Sequence, residues 1–114
     1  IISGTGTFNV EGDLNLTTSA KNFGEKLNFT GGTDQFITSN DNLAADILIN
    51  KPSGTLYLNS NVNTTGDVQL DQGVFDHNSY SLTSGKFTHE SGTTVHGGAN
   101  YSGIVIDNGG TWNP

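Results

Sequence analysis

A motif, led by glycine in its later copies, returns along this chain every eighteen to twenty-one residues, and that period restricts the folds open to it. Gly54-Thr-Leu-Tyr-Leu58 is matched at an offset of 19 by Gly73-Val-Phe-Asp-His77 and at the same offset again by Gly92-Thr-Thr-Val-His96, and the series closes near Gly110-Thr-Trp112. A second series keeps step. Gly66-Asp-Val-Gln-Leu70 leads at an offset of 19 to Gly85-Lys-Phe-Thr-His89 and at a further 18 to Gly103-Ile-Val-Ile106. The earlier half repeats at longer spacing, with residues 34–40 matching residues 55–61 at an offset of 21. Three apolar columns emerge: Leu27, Ile47, Val68, Phe87 and Ile106; Phe29, Ile49, Leu70 and His89; and, more roughly, Leu16, Ile37, Leu56, Phe75 and Thr94.

A period this short marks a solenoid, because one turn cannot bury its own apolar residues and must stack on its neighbours. Stacking strands about 4.8 Å apart joins the columns into one narrow core. Within each strand the apolar residues alternate, as in Asp67-Val-Gln-Leu70 and Asp46-Ile-Leu-Ile49, so one face turns inward and the other to water. Glycine at the strand starts supplies the backbone freedom of a corner. The fold predicted is an all-β, single-stranded β-solenoid, a parallel β-helix of five to six turns of about 19–21 residues, forming one domain over residues 1–114. The competing reading is an antiparallel sandwich with evenly spaced hairpins. Lys51-Pro52-Ser53-Gly54 reads as a turn with proline at its start.

Composition agrees with this frame. Only 32% of the residues are hydrophobic and 16 are glycine, while Asn, Thr and Ser make up much of the rest. Such a mixture is poor helix material and suits short strands with tight turns. Four Lys and no Arg stand against eleven Asp and Glu, giving a formal net charge of -7. That balance argues against nucleic acid and anionic lipid as partners. There is no cysteine for a disulfide or thiolate metal site, and no stretch has the length and apolarity of a membrane-spanning helix. The chain opens in mid-pattern at Ile1, which reads as a processed product or a piece of something longer.

The stretch from Gly54 to Lys86, containing TLYLNSNVNTTGDVQLDQGVFDHNSYSLTSG, resembles the Gly/Asn/Thr-rich solenoid repeats of large bacterial secreted, adhesin-like surface proteins. The segments Gly4–Thr17, Leu27–Thr38 and Leu43–Ile49 continue in the same style. The resemblance implies a cell-surface stalk or adhesive segment, extracellular, and carries no catalytic residues with it.

Candidate chemistry is sparse. No Gly-x-Ser-x-Gly elbow is present, and the Gly-rich segments lead into strands instead of helices, which removes a phosphate cradle. Asp71 and Glu90, at an offset of 19, would stack on adjacent turns and are the pair a polysaccharide-degrading enzyme would need. The plainer reading is a solvated acidic edge, and the four Lys do not cluster as a uronate lyase requires. His77 and His96 share a place in consecutive turns, as a weak metal site or as a polar stack where the core runs out, while His89 caps the Leu70 column. Asp41 and Asp46, in and after Asn40-Asp41-Asn42, are the candidate calcium ligands, and no other cofactor is expected. The sequons at Asn15, Asn28, Asn63 and Asn100 are common by chance in so Asn- and Thr-rich a chain. Tyr57, Tyr80, Tyr101 and Trp112 are the candidate ligand contacts, able to stack on sugars, although Trp112 is also placed to cover the last turn.

The expectation is therefore a non-catalytic structural or adhesive module of an extracellular or cell-surface protein. Its partners would be copies of itself, adjacent repeats, or glycans and other surface components, and end-to-end filaments are one form it could take. The alternative is a carbohydrate-binding or polysaccharide-degrading β-helix domain. An ice-binding face would need threonines in one register, which this chain does not keep.

Overall fold

Alternating side chains and glycine corners wind the chain into a parallel β-solenoid. The computed structural model describes residues 2–4, 6–16, 21–23, 26–39, 42–95 and 101–113. Its strands are β1 (Ile2–Gly4), β2 (Thr7–Val10), β3 (Leu14–Leu16), β4 (Lys21–Phe23), β5 (Lys26–Phe29), β6 (Gln35–Ser39), β7 (Asn42–Leu43), β8 (Asp46–Leu58), β9 (Val62–Thr64), β10 (Val68–Asp76), β11 (Leu82–His89), β12 (Thr93–Val95), β13 (Tyr101–Asp107) and β14 (Thr111–Asn113). Among the described residues there is no helix, and every strand pair is parallel. An antiparallel sandwich is thereby excluded.

The coils have three sides. The first stacks β2, β5, the start of β8, the start of β10, and the ends of β11 and β13. The second stacks β3, β6, the ends of β8 and β10, β12 and β14. The third stacks β7, β9 and the starts of β11 and β13, while β1 and β4 pair with each other in a separate two-stranded sheet. Where five to six turns were expected, the solenoid has about four. Among the described residues the buried side chains, from Leu27 to Thr94, belong to the coils that have a neighbour on both sides, and the outermost rungs close them off. Dividing length by period overcounts because a rung at an end closes no core of its own.

On the first side, Phe8, Leu27, Ile47, Val68, Phe87 and Val105 lie in one register. The last member is Val105 where the repeat pattern suggested Ile106, because the final step is shorter by one, as the Gly85-to-Gly103 spacing implied. Beside it run Phe29, Ile49, Leu70 and His89. On the second side Leu56, Phe75, Thr94 and Trp112 are in register as expected, but the lower part of that column shifts. Leu14, not Leu16, pairs with Ile37, and Ile37 lies under Leu58 while Gln35 lies under Leu56. The match of residues 34–40 with residues 55–61 describes this register; the rougher column broke it by following apolar identity instead of offset.

The longer early spacing has a local cause at the corner between the first and second sides. In the later coils this corner occupies residues 71–74, 90–93 and 108–111, each with a left-handed glycine: Gly73 (φ 98°), Gly92 (φ 83°) and Gly110 (φ 82°). Residues 50–55 make the same corner in the third coil, where β8 runs on through it and the pairing with β10 shifts register. Lys51 is therefore part of a strand and wholly buried, where a plain turn was expected. The inward alternation of Ile47 and Ile49 simply continues to Lys51. A Cβ on Gly73, in the coil above, would stand 2.9 Å from the Lys51 Cβ, so glycine is needed there for close approach.

Candidate functional site

Polar side chains in this solenoid mostly bond one coil to the next where the corners interrupt the backbone ladder. The Asp13 Oδ1 accepts the Phe36 N–H at 3.0 Å, the Asp34 Oδ1 accepts the Thr55 N–H at 3.0 Å, and the Asp46 Oδ1 accepts the Asp67 N–H at 2.9 Å. The Asn61 Oδ1 accepts the Ser81 N–H at 2.9 Å. Ser60 Oγ accepts from the Ser39 N–H and donates to the Ser39 carbonyl, both at 2.9 Å, and Thr64 Oγ1 donates to the Ala45 carbonyl at 2.5 Å. A buried backbone polar group without a partner is costly, so these side chains complete the stack.

This bears on each candidate. Asp46 is exposed and spends one carboxylate oxygen on the Asp67 amide, while Asp41 lies outside the described residues. Among the described residues no group of three His, Asp or Glu gathers as a metal set would. Asp71 accepts from the Gln69 amide at 2.7 Å, and Glu90 from the Asn108 amide at 2.9 Å, so each carboxylate of the stacked acidic pair is held by a neutral neighbour. His77 is buried, with Nδ1 3.1 Å from the Val95 carbonyl and its ring 4.4 Å from that of Phe75; His96 lies outside the described residues. His89 is buried above Leu70, its Nε2 3.1 Å from the Gly92 carbonyl.

The four candidate aromatics part company. Trp112 lies edge-on to His89 at 4.6 Å and to Phe87 at 5.9 Å, covering the core from the C-terminal end. Tyr80 follows the left-handed turn at Asn78 and Ser79 and packs against the core. Tyr101 opens β13 opposite Leu82. Tyr57 stands outward on the second side with a ring partner. It stacks on Phe36 with centroids 5.1 Å apart and planes 19° from parallel, and Phe36 is 38% exposed. Phe36 was not singled out in the sequence, yet the match of residues 34–40 with residues 55–61 already set it opposite Tyr57.

Behind this pair a polar cluster intrudes on the core. The Lys51 ammonium donates to the Gly31 carbonyl at 2.7 Å, the Thr33 carbonyl at 2.8 Å and the Gln35 Oε1 at 2.5 Å. Three N–H donors thus meet three oxygens. Gln35 in turn donates to the Val10 and Gly12 carbonyls at 2.8 and 2.6 Å and accepts the Gly31 N–H at 3.1 Å. Burial lowers the Lys51 pKa from its ordinary 10.5, and the charge of Asp34 opposes that shift. The cluster ties three consecutive coils together directly beneath Phe36.

The core also holds an apolar cavity of about 10 Å³ lined by Ile37, Ile47, Ile49, Leu56, Val68 and Phe75 among others, a space too small and too dry for a substrate. Comparison with known proteins finds no matching family model, no matching curated protein and no matching solved structure.

Proposed function

We propose that this chain is a non-catalytic structural or adhesive segment of an extracellular or cell-surface protein. The observation that carries the reading is the use of its polar side chains. Asp13, Asp34, Asp46, Ser60, Asn61 and Thr64 each bond one coil to the next, so the groups that could do chemistry serve the stack instead. The result is a body of 35 × 27 × 21 Å with outward polar side chains along its strands, suited to presenting weak contacts that add through repetition. End-to-end association is one form of this function, since each end of a solenoid offers strand edges to a further coil.

Antibody labelling of intact source cells tests the reading: label without permeabilisation is expected, and label only after permeabilisation would overturn it. Electron microscopy across a concentration series, with and without calcium, tests the filament form. The carbohydrate-binding alternative is favoured by one observation, the outward Phe36–Tyr57 stack with its exposed Phe36 ring.

A further inference from the structure

The Phe36–Tyr57 stack has no role in closing the core, because the inward positions of the same strands are already filled by Gln35, Ile37, Leu56 and Leu58. Phe36 instead holds an exposed ring on the second side, in its second rung. We infer that this pair is the contact site of the module and that its ligand is a neutral polysaccharide, an inference that rests on the adhesive reading above.

The neighbours of the pair set its chemistry. Each ring has one face against its partner. The next register position beyond Phe36 holds Asp13, and the next beyond Tyr57 holds Asp76. Both are short, and between them Phe36 is exposed and Tyr57 half-buried. Both are also pinned: Asp13 Oδ1 takes the Phe36 N–H and Asp76 Oδ1 takes the Asn78 N–H at 2.8 Å. A carboxylate fixed through one oxygen presents the other in a set direction, so little side-chain freedom is lost when a hydroxyl donates to it. Thr38, Thr55 and Asn59 stand outward on or beside the same two strands and add hydroxyl and amide groups around the rings. Apolar ring faces flanked by fixed acceptors match a sugar ring, which has an apolar C–H face and a rim of hydroxyls. Asp13 and Asp76 are three inter-strand steps apart, roughly 14 Å, so the surface fits a short run of sugar units more naturally than one ring.

Charge narrows the class. Asp13, Asp34 and Asp76 surround the pair, and no Lys or His stands outward on the described strands β3 and β6 or on the parts of β8 and β10 beside it. The nearby Lys51 is buried with its donors engaged by Gly31, Thr33 and Gln35. A uronate or sulfated glycan would meet like charge with no cation to neutralise it.

The test uses the full chain with four soluble probes: cellohexaose, mannohexaose, polygalacturonate and hexalysine. In ¹H–¹⁵N spectra, saturable shifts centred on Phe36 and Tyr57 are expected with at least one neutral hexasaccharide and none with polygalacturonate. Phe36→Leu keeps an apolar side chain on an exposed position and is expected to retain its melting temperature while weakening binding about tenfold, the scale of one lost ring contact. No saturable shift with either neutral probe, unchanged affinity in Phe36→Leu, or tighter binding of hexalysine at the same residues would each overturn the site. Chromatography of the sugars after incubation separates the two ideas. Shortened products would sink the non-catalytic reading and leave the site standing, whereas absent binding would remove the site and leave that reading untouched.

Discussion

Lys51 is the residue most at odds with its surroundings, a charge sealed inside a narrow apolar core. It is tolerated because its ammonium meets three oxygens held in place by the corner of the coil below. Replacing it with methionine keeps the stem but strands those acceptors, each costing on the order of 1–3 kcal/mol when buried. Lys51→Met is therefore expected to destabilise the chain by about 3 kcal/mol in urea titration, and adding Gln35→Leu should cost less than the two changes summed. The pH dependence follows from the lowered pKa. With the folded value below the unfolded 10.5, the unfolded chain binds more protons between the two, and stability rises with pH across that window. The advantage of the wild type over Lys51→Met should accordingly grow as pH climbs toward 10.5, and a difference independent of pH would contradict the assignment.

At the scale of the strand and its corners, glycine acts by position. Gly92 has φ 83°, and a Cβ there would come within 2.5 Å of the Gly73 carbonyl oxygen, whereas a Cβ on Gly12 meets nothing within 4 Å. Gly92→Ala is expected to cost at least about 1–2 kcal/mol from the left-handed backbone alone, while Gly12→Ala should be neutral or slightly stabilising. Thermal melts of the two variants check the contrast. The same scale shows what could be read beforehand. Strand alternation and the glycine series were legible because side-chain period and corner geometry are local properties. Register was legible only where offset was followed, as for Phe36 under Tyr57, and misleading where apolar identity was followed, as for Leu16 under Ile37. Lys51 was missed because a proline-bearing segment looks like a turn. Its i+2 spacing from Ile47 and Ile49 carried the signal. The outward ring pair needed both register and alternation together, and the list of lone tyrosines held only half of it.

Across the whole molecule the contacts run between neighbouring coils, so stability is close to a sum of coil-to-coil terms and the ends open first. Trp112 matters here because it covers Phe87 and His89 at one end. Trp112→Ala should raise hydrogen exchange in residues 104–113 while the amides of residues 46–70 keep their protection. A uniform loss across the chain would mean the coils melt as one unit.

The side-chain bridges at the corners, from Asp13 to Asn61, each link a coil only to the one beside it, and this has a mechanical consequence. A pull on the two ends cannot load all coils in shear. It unpeels them in turn from the weaker end, and each release frees about one period, as between Val68 and Phe87, or roughly 60 Å of extended chain. Under tension the molecule would lengthen coil by coil, in steps of about one period each.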